Sequence, residues 1–98
     1  MSLLEALGNG TRLAVLRELS REPMYVSELA DATGMDGKTA VHHLSTLEEA
    51  GLVSHYRRGN RKYYELVRSV ELRIAPPPER TFILQADDAD EADSHTRG

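Results

Sequence analysis

The stretch that decides the fold is MDGKTAVHHLSTLEEAGLV, residues 35–53. Asp36 is a residue type that caps helix N-termini, because its carboxylate accepts a hydrogen bond from an otherwise unpaired backbone N–H. Gly51 suits the left-handed conformation in which many helices end. The stretch therefore predicts a helix over residues 36–50.

The predicted helix has one apolar face and one largely polar face. At about 100° per residue, the apolar face collects Ala40, Leu44 and Leu47, with His43 at its margin. The other face collects Lys38, Val41, His42, Ser45 and Glu49. Adjacent side chains on a helix do not converge, so the two histidines make a poor metal site. We expect His43 to be packed, with one ring nitrogen hydrogen-bonded, and His42 to be exposed.

Two helices are predicted before residue 21. Ser2 and Glu5 match the capping box, in which each side chain satisfies an unpaired amide at a helix start. The apolar stripe of this first helix is Leu3, Leu4 and Leu7. Asn9 is placed to cap a second helix that reaches about residue 20. Its expected stripe is Leu13, Leu16 and Leu19.

The segment MYVSELADATG, residues 24–34, predicts a short extended piece and then a brief helix. Ser27 is the expected N-cap, Leu29 and Ala30 are expected to face inward, and Gly34 ends the helix. A tight turn then leads into the helix over residues 36–50.

The segment LVSHYRRGNRKYYELV, residues 52–67, predicts a strand, a tight turn and a second strand. Gly59 and Asn60 suit a two-residue hairpin turn whose first central residue has a positive φ. The tyrosines Tyr56, Tyr63 and Tyr64 are interpreted as sheet packing. Two helices joined by a short turn and followed by a hairpin describe an α+β winged helix-turn-helix, mainly α, with a wing at residues 55–63.

Four cations gather on the predicted wing without an intervening acid: Arg57, Arg58, Arg61 and Lys62. Like charges at a hairpin tip repel each other, so stability does not explain them, whereas contact with DNA phosphates does. On the helix, Lys38 and His42 are interpreted as contacts to phosphates or base edges. Val41 can touch a thymine methyl group or fill a gap against a neighbouring helix. For the cations and His42, the alternative is an ordinary solvated side chain.

The chain beyond residue 68 predicts strands, not a helix. Val70, Leu72 and Ile74 alternate with polar residues, as a half-buried strand requires. We expect strands at residues 69–74 and 81–84, joined by the loop APPPER, with Phe82 and Leu84 on the same apolar face. Unpaired strands expose edges that associate readily. These strands should therefore extend the wing sheet or pair across a dimer.

The predicted division of the chain follows from this pattern. Residues 1–68 form the winged helix-turn-helix, residues 69–86 a strand extension for dimerisation, and residues 87–98 an acidic disordered tail. The candidate dimerisation residues are Leu3, Leu4, Leu7, Leu72, Ile74, Phe82 and Leu84.

Composition excludes several classes of protein. The chain has 98 residues, a formal net charge of −4 that is carried by residues 87–98, and no cysteine, so thiolate metal sites and cysteine nucleophiles are absent. We expect no metal site, no cofactor and no catalysis. The absence of a long apolar run or signal-peptide pattern indicates a cytoplasmic protein without a membrane partner. Lysine is scarce beside arginine and acids, which is typical of halophilic archaea or of a GC-rich genome with an acidic tail.

Three segments resemble the ArsR-type winged-helix regulators of bacteria and archaea: LGNGTRLAVLREL, VSELADATGMDGKTAVHHLSTLEEAGLV and RRGNRKYYEL. The resemblance covers residues 4–66. It implies a homodimeric repressor that binds a palindromic operator, with Gly37, Lys38, Val41 and His42 at the groove-reading positions and the wing on the backbone. Together with the polar face of the predicted helix and the wing cations, the resemblance gives the candidate DNA-binding residues Gly37, Lys38, Thr39, Val41, His42, Ser45, Arg57, Arg58, Arg61 and Lys62.

The sequence departs from that family pattern in three places. Gly10 replaces a proline usual after the asparagine, MYVSEL stands where metal sensors carry cysteines, and strands replace the family's C-terminal dimerisation helix with its carboxylate and histidine metal site. The leading hypothesis is a double-stranded DNA-binding transcription regulator. The alternative is a winged helix that binds protein without direct contact to DNA. The sequence specifies neither an operator nor an effector.

Overall fold

The computed structural model of the protein describes residues 2–88, which divide into two compact units, one up to Val67 and one from Arg68. The first unit is an α+β winged helix-turn-helix, as predicted. Its elements, in chain order, are α1 (Leu3–Leu7), α2 (Gly10–Leu19), β1 (Met24–Tyr25), α3 (Val26–Thr33), α4 (Gly37–Glu49), β2 (Val53–Arg58) and β3 (Arg61–Leu66). The second unit contains β4 (Arg68–Ala75) and β5 (Thr81–Asp88). No helix among residues 2–88 is long and apolar enough to cross a membrane.

The capping box at α1 is confirmed. The Glu5 backbone N–H donates to Ser2 Oγ at 3.1 Å, and the Ser2 N–H donates to Glu5 Oε1 at 3.0 Å. At the other end of α1, the Arg12 guanidinium donates to the carbonyl oxygens of Ala6 at 2.8 Å and Glu5 at 3.0 Å. Terminal carbonyls of a helix lack partners within it, so Arg12 both satisfies them and ties α1 to α2.

The predicted apolar stripe of α2 is partly wrong. Leu19 is buried, but Leu13 is 49% exposed, and the fully buried side chain is Val15. Helix α2 packs against both α3 and α4, and Val15 and Leu19, four residues apart, form the face that meets them. The spacing of the leucines did not indicate that Val15 would be the fully buried residue of this face.

The expected cap of α3 is also corrected. The N-cap is Tyr25, not Ser27, and the Tyr25 backbone N–H donates to the Glu28 carboxylate at 3.2 Å. The reason is sheet pairing: Met24 and Tyr25 pair with Tyr64 and Tyr63 of β3, so the chain is extended up to Tyr25 and turns helical at once.

The ends of the helix-turn-helix agree with the sequence. Gly34 ends α3 with φ +74°, and Gly51 follows α4 with φ +79°. Asp36 caps α4, its Oδ1 accepting a hydrogen bond from the Thr39 backbone N–H at 2.7 Å. The core beneath these helices consists of Ala6, Val15, Leu19, Leu29, Ala30, Ala40, Leu44, Leu47, Leu52, Val53 and Tyr64.

The first unit's sheet has the strand order β1-β3-β2, all antiparallel. Its wing is the β2–β3 hairpin, which closes through Gly59, at φ +62°, and Asn60. A positive φ at the first of two turn residues matches the twist of the flanking strands, as expected. Arg58 and Arg61 are the last cross-strand pair before the turn.

The C-terminal strands form, but they do not extend the wing sheet. β4 and β5 pair with each other in a separate two-stranded antiparallel sheet. The loop between them is short, so each strand is the other's nearest pairing partner in sequence. The expected tail boundary is also corrected, since β5 includes Asp87 and Asp88, which pair with Ser69 and Arg68. The rest of the expected tail, residues 89–98, lies outside the described residues.

Candidate nucleic-acid interface

Helix α4 buries the face that the sequence predicted. Ala40, Leu44 and Leu47 are fully buried. The other face is open to solvent: Gly37, Lys38, His42 and Ser45 are exposed, Val41 is 43% exposed, and Thr39 is half-buried. The hydrogen bond from the Thr39 N–H to Asp36 fixes the start of this helix and holds the pKa of the Asp36 carboxyl below its usual range.

His43 is packed, as expected, but its predicted hydrogen bond is not confirmed at Nδ1. The residue is 8% exposed, and Nδ1 has no hydrogen-bond partner among residues 2–88. Burial lowers the pKa of His43, and the nearby positive charges of Arg12 and His42 lower it further. The two adjacent histidines therefore differ in environment, one at the core margin and one on the exposed face.

The wing carries four cations that its own fold does not neutralise. Arg57 lies opposite Lys62, and Arg58 opposite Arg61; of the four, only Lys62 is half-buried. Like charges placed opposite each other destabilise a sheet. The two ion pairs described among residues 2–88, Arg21–Glu18 and His55–Glu48, include none of these four side chains. The arrangement leaves the positive charge available to a partner.

A row of three tyrosines crosses the sheet behind these cations. The Tyr56 and Tyr63 rings are stacked with centroids 5.7 Å apart, and Tyr63 meets Tyr25 edge-on at 5.5 Å. The Arg58 guanidinium lies 5.9 Å from the Tyr56 centroid, and the Arg61 guanidinium lies 4.3 Å from the Tyr25 centroid. The sequence indicated sheet packing for two of these rings. It gave no sign that Tyr25 joins them, because that contact depends on β1 pairing with β3.

The wing is also tied to the C-terminal end of α4. His55 Nδ1 on β2 and Glu48 Oε2 on α4 are 2.5 Å apart. This contact joins the exposed helix to the strand that leads into the wing. Neither residue was singled out from the sequence, because the pair is formed by the turn between α4 and β2.

The candidate dimerisation residues lie on α1 and on the β4–β5 hairpin. Leu4 is 55% exposed, while Leu3 and Leu7 are half-buried. On the hairpin, Leu72 pairs with Leu84 and Ile74 with Phe82, so all four lie on one face. Leu72, Ile74 and Phe82 are 53%, 67% and 64% exposed, respectively, and Leu84 is half-buried. The predicted common apolar face is confirmed, although its residues are more exposed than expected.

The part of the chain that the structure describes brings no three histidine, aspartate or glutamate side chains together in a way that could hold a metal ion. His42 and His43 have ring centroids 5.4 Å apart, with planes tilted by 56°. His42 is exposed, whereas His43 is 8% exposed.

Comparison with known proteins agrees with this geometry. Residues 7–56 match the Helix-turn-helix domain family. The HTH-type transcriptional regulator Rv0324 of Mycobacterium tuberculosis is 42% identical over 62 residues, which are 63% of this chain and 27% of that protein. A candidate arsenical resistance operon repressor of Halobacterium salinarum, ArsR2, is 31% identical over 76 residues, 76% of this chain and 64% of that protein. The chain thus spans less than two thirds of either relative.

A solved structure is similar over the same region. The homodimeric winged helix-turn-helix DNA-binding domain of Mb0332 from Mycobacterium bovis, a possible ArsR-family transcriptional regulator, is 42% identical, with a TM-score of 0.61. The match covers 63% of this chain and 57% of that one. With the family match, the order of elements and these relatives taken together, the chain belongs to the helix-turn-helix domain family and is an ArsR-type winged helix-turn-helix protein.

Proposed function

We propose that the chain regulates transcription by binding double-stranded DNA in a sequence-specific way as a homodimer. The observation that carries the proposal is the combination of an exposed α4 face with four wing cations that take part in neither of the ion pairs described among residues 2–88. A helix fits the major groove of DNA, and a basic hairpin beside it reaches the phosphates or the minor groove.

Groove reading is assigned to the exposed side of α4. Lys38 and His42 can donate hydrogen bonds to base edges or phosphates, and Val41 can contact a thymine methyl group. Val41 has no described role in the core, since 43% of its surface is exposed. The full proposed set on this helix is Gly37, Lys38, Thr39, Val41, His42 and Ser45.

Backbone binding is assigned to the wing cations Arg57, Arg58, Arg61 and Lys62. Contact with phosphates releases counterions from DNA, which offsets the mutual repulsion of these cations. Such contacts position the protein and carry no sequence information by themselves.

A homodimer implies a palindromic operator with half-sites about 34–36 Å apart, since protein and DNA share a two-fold axis. The homodimeric Mb0332 domain supports this proposal, and the name of ArsR2 supports repression as the mode of regulation. A DNA partner implies the cytoplasm as the compartment. The relatives are regulators, so we propose no enzymatic activity, and the residues described give no reason to add a metal or a cofactor.

The test begins with genome-wide mapping of bound sites, followed by anisotropy titrations on a mapped duplex and on a scrambled duplex at several salt concentrations. We expect the mapped site to be preferred and His42→Ala to reduce that preference. Wild-type protein that binds neither duplex, yet retains a stable fold and a protein partner, would favour the protein-binding alternative.

A further inference from the structure

The β4–β5 hairpin has an unpaired strand edge on each side. β4 and β5 pair with each other, and neither has a second strand partner among residues 2–88. Such an edge presents a row of backbone N–H and C=O groups that can pair with another chain. A two-stranded sheet is marginal by itself, whereas three or more strands with an apolar face form a stable unit. The hairpin therefore gains stability from a further strand.

The hydrogen bonds of the hairpin show which backbone groups face the free edge of β4. The Arg80 N–H donates to the Pro76 carbonyl oxygen at 3.1 Å, one position beyond the Ala75–Thr81 pair. Hydrogen-bonded and non-bonded pairs alternate along an antiparallel ladder, so the even-numbered residues of β4 bond to β5. The odd-numbered residues direct their N–H and C=O groups to the free edge: Ser69, Glu71, Arg73 and Ala75. Residues 68–75 include no proline, so this edge lacks no donor.

The side chains of β4 are arranged symmetrically about Leu72. Glu71 and Arg73 flank Leu72 on one face of the strand. Two antiparallel copies of β4 with Leu72 opposite Leu72 bring each Glu71 opposite Arg73 of the other copy. A shift by two residues would oppose Arg73 to Arg73 or Glu71 to Glu71, and like charges opposite each other destabilise a sheet. The centred register is therefore favoured over both of these neighbours.

The apolar side chains agree with the same register. Val70 and Ile74 lie on the face of Leu72. In the centred register each Val70 lies opposite Ile74 of the other copy, so the apolar faces of the two hairpins join. A shift by one residue would turn the apolar face of one copy to the opposite side of the sheet.

Both charges of β4 are available for this pairing. Arg73 is exposed, and neither ion pair described among residues 2–88 includes Arg73 or Glu71. Glu71 Oε1 accepts a hydrogen bond from Gln85 Nε2 at 3.2 Å, which leaves lone pairs of the carboxylate for a second donor. The edge of β5 is not comparable, since residues 81–88 contain two acids, Asp87 and Asp88, and no basic residue. The complementary charges therefore select β4.

We propose that the free edge of β4 binds a second copy of this chain, antiparallel and with Leu72 on the two-fold axis. The two hairpins then form one four-stranded sheet in the order β5-β4-β4-β5. Because such an interface is isologous, the contact between Glu71 and Arg73 occurs twice. The inference rests on the homodimer of the proposed function and deepens it by naming the edge and the register.

The first arm of the test uses engineered thiols, because the chain has no cysteine of its own. Opposite residues of a non-bonded antiparallel pair have Cα atoms about 4.5 Å apart, within the range of about 4.4–6.8 Å that a disulfide requires. Leu72→Cys should therefore form a disulfide-linked dimer under mild oxidation, which a non-reducing gel detects. Ile74→Cys is the matched control, since its two copies would lie about 13 Å apart along the strands and should stay unlinked.

A mixture of Val70→Cys and Ile74→Cys proteins should link across copies, although neither links alone. Melting temperatures check that each variant folds, and this mixture decides if Leu72→Cys does not fold. Linking of Leu84→Cys but not of Leu72→Cys would assign the interface to the edge of β5 and overturn the proposal. Equal linking of Leu72→Cys and Ile74→Cys would also overturn it, because one register cannot bring both residues to their own copies.

The second arm measures dimer affinity by sedimentation. Glu71→Arg replaces two attractions by two repulsions, so it should weaken the dimer on the order of tenfold. Adding Arg73→Glu to the same chain restores opposite charges and should recover the affinity. Neutral Arg73→Gln removes only an attraction between exposed charges, so it should change the affinity about twofold. A double variant as weak as Glu71→Arg alone would overturn the register.

The interface and the proposed function fail in different ways. Protein that sediments as a dimer and binds its mapped duplex, yet does not link through Leu72→Cys, overturns the β4 edge and leaves the proposed function intact. Protein that stays monomeric at every concentration and on the duplex overturns the homodimer and the β4 edge together.

Discussion

His42 and His43 are adjacent on α4 and have opposite surroundings. His42 is exposed, whereas His43 is 8% exposed at the core margin. We expect His42→Ala to alter DNA affinity or preference with little loss of stability. His43→Ala should lower the free energy of unfolding by about 1–3 kcal/mol, because a packed side chain leaves a cavity. Urea denaturation and duplex titration of both variants check this; a stable His43→Ala that alone loses DNA would contradict the assigned faces.

The lowered pKa of His43 predicts that the stability of the protein depends on pH. Its pKa in the folded protein lies below its ordinary value of 6.5, first because of burial and then because of Arg12 and His42. As pH falls, the unfolded chain binds the proton more readily, so this contribution is complete above about pH 6.5 and is lost as pH falls through the folded pKa. The unfolding free energy of His43→Leu should therefore depend less on pH than that of the wild type. Equal pH dependence in the two proteins would exclude His43 as the source.

At the scale of single residues, the sequence predicted those positions where a local hydrogen bond or backbone angle decides the structure. Asp36, Gly34 and Gly51 are such positions, because a cap or a left-handed angle depends on neighbours in the chain. The predicted hydrogen bond of one His43 ring nitrogen is not confirmed at Nδ1, since such a partner depends on which side chains surround the ring in three dimensions. For the same reason the contact between Tyr25 and Arg61 had no signal in the sequence.

For the secondary-structure elements, too, the sequence predicted features that depend on neighbouring residues and missed features that depend on residues distant in the chain. The wing hairpin and α4 were predicted because their periodicity and turn residues are local. The cap of α3 was misplaced because pairing of β1 with β3, about 40 residues apart in the chain, overrides the local preference of Ser27 for a cap. The stripe of α2 was misassigned because two helices, α3 and α4, select its buried face.

The prediction at the scale of the secondary-structure elements concerns the wing turn. Gly59 has a φ of +62°. This backbone angle is strained for any residue that has a Cβ atom. Gly59→Ala should cost about 1–2 kcal/mol of stability and weaken binding to specific and scrambled duplexes alike, because the wing cations lose their positions. Asn60→Ala is the matched control, since its φ is not positive. Chemical denaturation and anisotropy measure both effects, and equal behaviour of the two variants would argue against a strained turn.

At the scale of the whole molecule, the family model and the C-terminal hairpin cover different parts of the chain. The family match ends at residue 56, whereas β4 begins at Arg68. The sequence predicted both hairpin strands and their common face, but not that they form a sheet of their own. A two-stranded sheet with one exposed apolar face is marginal by itself and gains stability when that face is covered. We therefore retain the proposal that the face contributes to the dimer.

The dimer proposal is tested by removing the hairpin after Val67, where the two units meet in sequence. Each large apolar side chain that becomes covered contributes about 1.5–3 kcal/mol when its burial is complete, so truncation should weaken the dimer strongly. Leu72→Asp should weaken it as well, since it places a charge on the shared face. Arg73→Gln is the matched control, because Arg73 lies on the opposite face of β4. Sedimentation velocity over a concentration series gives the association constants. If the truncated protein dimerises with full-length affinity, the hairpin is not the dimer interface. Helix α1, where Leu4 is exposed, is then the remaining candidate for that interface.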